Sequence, residues 1–121
     1  MVDLSIIIVS YNVKDFLTQC IKSIERSNFK DRTYEVIIVD NDSYDGTKDQ
    51  IRQLFRNVKF IQNSNNLGFS KAVNIGIKKS IGKYICLINP DVIVDNNCFI
   101  NLLNKIEENE NIGCIGPKIL N

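Results

Sequence analysis

The sequence predicts an α/β fold, a mostly parallel sheet flanked by helices, and three observations support it. Short runs rich in Val and Ile alternate with amphipathic stretches of about 10 to 15 residues, the pattern of βαβ units with right-handed crossovers. The runs "LSIIIVS" and "EVIIVD" are apolar at nearly every position, as strands covered on both faces must be. Polar residues gather where several runs stop, and in open sheets of this Rossmann-like kind ligands bind outside the carboxyl ends of the strands.

The elements follow in order. Residues 4–10 form the first strand. "KDFLTQCIKSIERS" then sets Phe16, Leu17, Cys20, Ile21 and Ile24 at helical spacing, with Lys and Glu opposite. Residues 35–40 form the second strand, and "NDSYDGT", dense in turn and cap residues, leads into a helix through Ile51, Leu54 and Phe55. "VKFIQ" is a third strand and "NSNNLG" a loop whose Asn and Gly residues tolerate positive φ. From Phe69 to about Ser80, Ala72, Val73, Gly76 and Ile77 make the apolar stripe of another helix. "KYICLI" is the fourth strand. Asp95 caps a further helix that turns Cys98, Phe99, Leu102, Leu103 and Ile106 inward, and "IGCIG" is a short fifth strand before Pro117.

Composition narrows the function classes. The 121 residues suit a single domain with one core. A net charge of +1 produces no field that would draw nucleic acid or an anionic membrane. The apolar runs reach about six or seven residues, far short of the roughly 20 that span a bilayer. "MVDLSIIIVS" lacks the basic region and cleavage signal of a secretory peptide, so the expected compartment is the cytoplasm. Cys20, Cys86, Cys98 and Cys114 are dispersed, with no CxxC pair, and are expected to be reduced and mostly buried. The absence of histidine removes Ser-His and Cys-His nucleophilic sites and the commonest general base.

Three strands release polar residues at one edge: Ser10-Tyr11-Asn12, Asp40-Asn41-Asp42-Ser43 and Asn89-Pro90-Asp91. Pro90 fixes its own φ and biases Asn89 toward an extended conformation. The Asp91 carboxylate either caps a turn or is held in a defined direction for a hard divalent cation, the Mg²⁺ pattern of one or two carboxylates completed by substrate phosphates and water. Asp40 either accepts hydrogen bonds from its own turn or meets a nucleobase edge together with Asn41. Asp42 either caps a loop or joins that contact, and Tyr11 either stacks beside a base or is a buried tyrosine with a bonded hydroxyl. Gly68, just before a helix, either serves a positive-φ turn or lets the backbone approach a ligand beside free helix N-terminal amides.

Taken together, "SIIIVSYN", "VIIVDNDSYDGT", "NNLGFSKAVNIGI" and "YICLINPDVIV" closely resemble the nucleotide-sugar domain of inverting family-two glycosyltransferases with the GT-A fold, over essentially the whole chain. The resemblance implies a donor domain over residues 1–121, without the acceptor-binding region. It assigns the nucleoside to Ser10, Tyr11, Asp40, Asn41 and Asp42. The sugar-diphosphate falls to Gly68, Lys71, Asn74 and Asn89, and Mg²⁺ or Mn²⁺ to Asp91. Two positions depart from the family pattern: Asn41 stands where many members carry Asp, and Asn89 takes the first acidic place of the DxD-type motif. "VDN", "NLGF" and "NPDV" are similar to the rhamnosyltransferase-like branch, which implies dTDP-rhamnose as donor.

The resemblance further implies sugar transfer to a glycan or lipid-linked acceptor, with a general base supplied beyond Asn121. The complete enzyme would act in the cytoplasm or peripherally at the inner membrane face. An apolar edge left uncovered would favour homo-oligomers. Two rivals differ in class. One is a non-catalytic nucleotide-binding module. The other is a receiver-type signalling domain, which needs acids after the first strand and a phosphorylatable Asp after the third, where this chain has Ser-Tyr-Asn and Gln62-Asn63.

Overall fold

The computed structural model describes residues 1–118. Its elements alternate: β1 (Val2–Ser10), α1 (Lys14–Glu25), β2 (Tyr34–Asp40), α2 (Thr47–Leu54), β3 (Lys59–Gln62), α3 (Phe69–Lys79), β4 (Gly82–Ile88) and α4 (Cys98–Glu107). The strands make one sheet in the order β3-β2-β1-β4, and every pair is parallel. Parallel neighbours need crossovers, which α1, α2 and α3 supply. The strand order reverses between β1 and β4, and in open sheets of this kind ligands bind at such a switch point, in the crevice outside the carboxyl ends of the strands. In the receiver order 2-1-3-4-5 the third strand lies beside the first; here β3 pairs with β2, which excludes that rival.

Strand alternation divides the core into two layers. Leu4, Ile6, Ile8, Val36 and Ile38 face one side, where they meet α1 through Leu17, Cys20, Ile21 and Ile24. Ile51, Phe55, Phe99 and Leu103 complete that layer. Ile7, Ile37 and Val39 face the other side and meet Ala72 of α3. Gly76 lets α3 lie close: a Cβ there would stand 2.6 Å from Ile7 Cγ2.

Several expectations are corrected. Phe16, Leu54 and Ile77 are exposed; each sits at the flank of its helix, and the narrower stripes Leu17/Cys20/Ile21/Ile24, Thr47/Ile51 and Ala72/Val73/Gly76 are what the sheet covers. The last helix begins at Cys98, and Asp95 instead accepts the Asn97 N–H at 3.3 Å in the preceding turn. Residues 112–116 form no strand. Gly113 and Gly116 weaken strand pairing there, and the segment lies across a cavity of about 480 Å³ lined by Tyr84, Cys86, Leu102 and Ile106. Cys114 is exposed rather than buried, and all four cysteines are free. Beside this cavity β4 forms an edge of the sheet, and on its α3 side Ile85 and Leu87 are exposed. Among the described residues no helix is long and apolar enough to cross a membrane.

At the amino end of the sheet a buried polar knot sets the strand register. Ser5 pairs with Glu35 across β1 and β2, and Ser5 Oγ donates to Glu35 Oε2 at 2.6 Å. The same oxygen accepts the Ile81 N–H at 2.8 Å. Oε1 meets Lys59 Nζ at 2.6 Å, and Ser5 Oγ in turn accepts the Gly82 N–H at 2.8 Å. Burial pushes the Glu35 carboxyl up, but the Lys59 ammonium, the Ser5 hydroxyl and the Ile81 amide outweigh it and hold the group below its ordinary value. A carboxylate with a lowered pKa stabilises the fold above its unfolded pKa and loses that contribution as pH falls through the folded value. Glu35→Gln should therefore cost about 1 to 2 kcal/mol at pH 7 in urea unfolding. The gap to the parent should shrink as pH drops below the ordinary value of 4.5; a gap that stays constant down to about pH 3 would contradict the linkage.

Candidate functional site

The site grows from one rung of the sheet. Register sets Ser10 beside Asp40 and Asp40 beside Gln62. Asp40 is 0% exposed, and its carboxylate is saturated. Oδ1 accepts from Ser10 Oγ at 2.7 Å and Ser43 Oγ at 2.6 Å, while Oδ2 accepts from the Ser43 N–H at 2.8 Å and Gln62 Nε2 at 3.1 Å. A buried charge is tolerated only when donors replace its water. With these positions filled from within the chain, a base edge reaching Asp40 would have to displace one of its partners.

Asn41, also buried, carries the order outward. Its N–H donates to Ser10 O at 2.9 Å. Its Nδ2 donates to Gly68 O at 3.1 Å, and its Oδ1 accepts from Asn63 Nδ2 at 2.9 Å and the Leu67 N–H at 3.4 Å. Gly68 has φ 83°, the left-handed side that only glycine adopts without strain. The start of α3 is thereby held against the end of β2. Among the described residues no side chain caps α3, which leaves its first N–H groups without a capping acceptor, a ready setting for an anion. Lys71 is exposed in this first turn and Asn74 is exposed one turn further on.

The first two turns are laced together. Asn12, at φ 52°, donates its N–H to Ser43 Oγ at 2.8 Å and accepts the Tyr44 N–H on Oδ1 at 2.9 Å. Asp45 accepts the N–H groups of Lys14 at 3.0 Å and Thr47 at 3.1 Å, together with the Thr47 hydroxyl. Burial alone would raise the Asp45 carboxyl, but these donors keep it below its ordinary value. Capping in this turn thus falls to Asp45 and Ser43. Asp42, at φ 69°, is exposed. Tyr11 is 44% exposed, not buried, and meets the ring of Tyr44 edge to face, centroids 6.3 Å apart.

At the end of β4, on the other side of the switch point, α1 backs the Asn89-Pro90-Asp91 turn. Asn89 O accepts the Val92 N–H at 3.3 Å and the Cys20 thiol at 3.8 Å. Ser23 Oγ accepts the Val94 N–H at 3.1 Å and donates to Cys20 O at 2.7 Å. Burial, assisted by the Asp91 charge, pushes the Cys20 thiol up to about 12, which leaves it a structural group without thiolate reactivity. Asn89 and Asp91 are exposed. Among the described residues no three His, Cys, Asp or Glu side chains gather as a metal-binding group. The donor set therefore fits a hard cation only as a single carboxylate, Asp91, with phosphate and water oxygens completing the shell.

Gln62 and Asn63, which the sequence sets against the receiver reading alone, belong to this frame; the strand-end rule applied to the third strand points to them as well. Tyr44 and Asp45 sit in a stretch whose composition marks only a turn. The division between buried and exposed acids has a measurable consequence. Asp40→Asn turns two acceptor positions into a donor facing hydroxyl and amide donors and should cost about 2 to 3 kcal/mol. Asp42→Asn, on the surface one turn away, should change stability by less than about 0.5 kcal/mol. Urea unfolding of both variants checks the contrast, and equal effects would contradict it.

Comparison with known proteins places this geometry. The sequence profile of glycosyl transferase family 2 matches residues 5–119. The chain is 33% identical over 113 residues to the minor teichoic acid biosynthesis protein GgaB of Bacillus subtilis, covering 90% of this chain and 12% of that protein. It is 30% identical to the poly(ribitol-phosphate) beta-glucosyltransferase of Bacillus spizizenii, covering 88% of this chain and 18% of that one. Among solved structures, residues 1–349 of S. aureus TarS in complex with UDP-GlcNAc superpose with a TM-score of 0.80 at 26% identity, covering 88% and 31% of the two chains. The mannosyltransferase PcManGT of Pyrobaculum calidifontis, solved with GDP-Man and Mn²⁺, shares the fold at TM-score 0.78 and 17% identity, over 85% and 32%. The chain thus spans less than a third of each of these relatives. Its fold is that of the GT-A glycosyltransferases, and the chain belongs to glycosyl transferase family 2.

Proposed function

We propose that the crevice between β1 and β4 is the donor site of a sugar-transferring enzyme, binding a nucleoside-diphosphate sugar together with Mg²⁺ or Mn²⁺. The observation that carries this reading is the division of the rim into a buried, hydrogen-bonded frame and an exposed set of side chains. Ser10, Asp40 and Asn41 hold the frame of the nucleoside side, and Tyr11 and Asp42 stand free on it. Gly68, Lys71, Asn74 and Asn89 serve the sugar-diphosphate, with the open start of α3 and the Lys71 ammonium suited to phosphate charge. Asp91 is the protein's ligand to the cation, which when bound supplies Lewis-acid stabilisation of the leaving diphosphate.

In the proposed reaction an acceptor hydroxyl attacks the anomeric carbon from the face opposite the nucleoside diphosphate, which departs with inversion. A general base must take the hydroxyl proton; the one expected beyond Asn121 lies outside the described residues. The donor is a pyrimidine nucleotide sugar in this reading. The motif forms point to dTDP-rhamnose, and the TarS complex with UDP-GlcNAc supports the wider class. The acceptor is a glycan or a lipid-linked sugar, reached from the cytoplasm or from the inner membrane face. The exposed β4 flank at Ile85 and Leu87 is where a homo-oligomer would form.

Calorimetric titration with UDP and with dTDP, each with and without Mn²⁺, tests the reading. Binding should require the cation, Asp91→Ala should weaken it about tenfold or more, and the chain by itself should transfer little or no sugar. Absence of nucleotide binding under any of these conditions would overturn the donor site. Robust transfer by the isolated chain would overturn the assignment of the base beyond Asn121.

A further inference from the structure

We propose that Tyr44 is a second aromatic contact for the nucleobase of the donor; the inference rests on the donor-site reading above. An exposed tyrosine alone is unremarked on any protein surface, and Tyr44 is 84% exposed. What separates it from that background is its support and its neighbour. The backbone that presents it is fixed on both sides. Asp42 and Gly46 flank it at φ 69° and 87°, its N–H is held by Asn12 Oδ1 at 2.9 Å, and the adjacent Ser43 is bonded twice to the buried Asp40 carboxylate.

The ring is therefore offered to solvent by a rigid turn, and it stands against Tyr11, the first residue beyond β1. The two planes meet at 79° with centroids 6.3 Å apart. This spacing leaves no slot for a base sandwiched between parallel rings. It forms a corner: a planar ring stacked on the face of one tyrosine meets the other along its edge. Aromatic corners of this kind take any flat heterocycle by stacking, while hydroxyls at the rim remain free for its polar edge. A diphosphate has no face to stack, so the contact is directed at the base and not at the phosphates.

Calorimetry on the parent chain, Tyr44→Ala, Tyr44→Leu and Tyr44→Phe, with UDP and with inorganic pyrophosphate, each in Mg²⁺, separates the outcomes. Tyr44→Ala and Tyr44→Leu should bind UDP about tenfold more weakly, keep pyrophosphate binding within about twofold, and melt with the parent because the side chain is exposed. Tyr44→Phe should bind UDP within about twofold of the parent. Unchanged UDP affinity in Tyr44→Ala and Tyr44→Leu would overturn the inference and leave the donor site standing. Equal loss for UDP and pyrophosphate would overturn it too, by showing that Tyr44 acts on the rim as a whole. A parent chain that binds pyrophosphate but not UDP would overturn the donor reading together with it.

Discussion

A carboxylate with no access to water organises this molecule. Asp40 ends β2, one of the two inner strands of the sheet, and an unpaired charge there would cost several kcal/mol. Ser10, Ser43 and Gln62 meet that demand, and each belongs to a different segment: the end of β1, the turn after β2 and the end of β3. Satisfying one buried group therefore aligns three strand ends at once. Asn41 extends the constraint to Asn63 and Gly68, so the start of α3 is positioned by the same frame. Glu35 plays a similar part at the opposite end of the sheet, where Ser5 and Ile81 meet it. Two buried acids, one per end, pin a register that strands apolar on both faces would specify less tightly by themselves.

This arrangement explains why the exposed residues of the rim are free. The frame consumes the hydrogen-bonding capacity of Asp40 and most of that of Asn41, and nothing comparable is spent on Asp42, Lys71, Asn74, Asn89 or Asp91. Rigidity and availability fall on different side chains. The turn carrying Asp91 is held by other means: α1 presents Cys20 and Ser23 to its backbone, so the carboxylate projects from a fixed loop. A site assembled in this way loses little conformational entropy on binding.

Much of the fold was legible because its signals are local. Uninterrupted β-branched runs mark strands buried on both faces, and the alternation of runs with amphipathic stretches fixes a parallel sheet. The flanks of the helices were less legible. Phe16, Leu54 and Ile77 fit a generous apolar stripe, and only the packed sheet shows how narrow the covered stripe is. The run at 112–116 has the composition of a strand, but a strand exists only with a backbone partner, and that is a tertiary fact. In the site, the strand-end rule located the turns. It could not separate a buried frame residue such as Asp40 from an exposed one such as Asp42, because burial of a polar side chain depends on donors contributed from distant segments. Tyr44 shows the same limit in reverse: turn composition explained its neighbours and concealed the ring they carry.

The central claim is that a nucleoside diphosphate and a cation meet in the crevice between β1 and β4, with Asp91 as the protein's ligand to the metal. Paramagnetic broadening of amide resonances by Mn²⁺, recorded on the isotopically labelled chain in the presence of UDP, reads the metal's position directly. Broadening should centre on residues 89–92, extend to the ends of β1 and β2 and the start of α3, and vanish in Asp91→Ala. Broadening centred on the opposite end of the sheet, around Glu35 and Lys59, or unchanged in Asp91→Ala, would contradict the account.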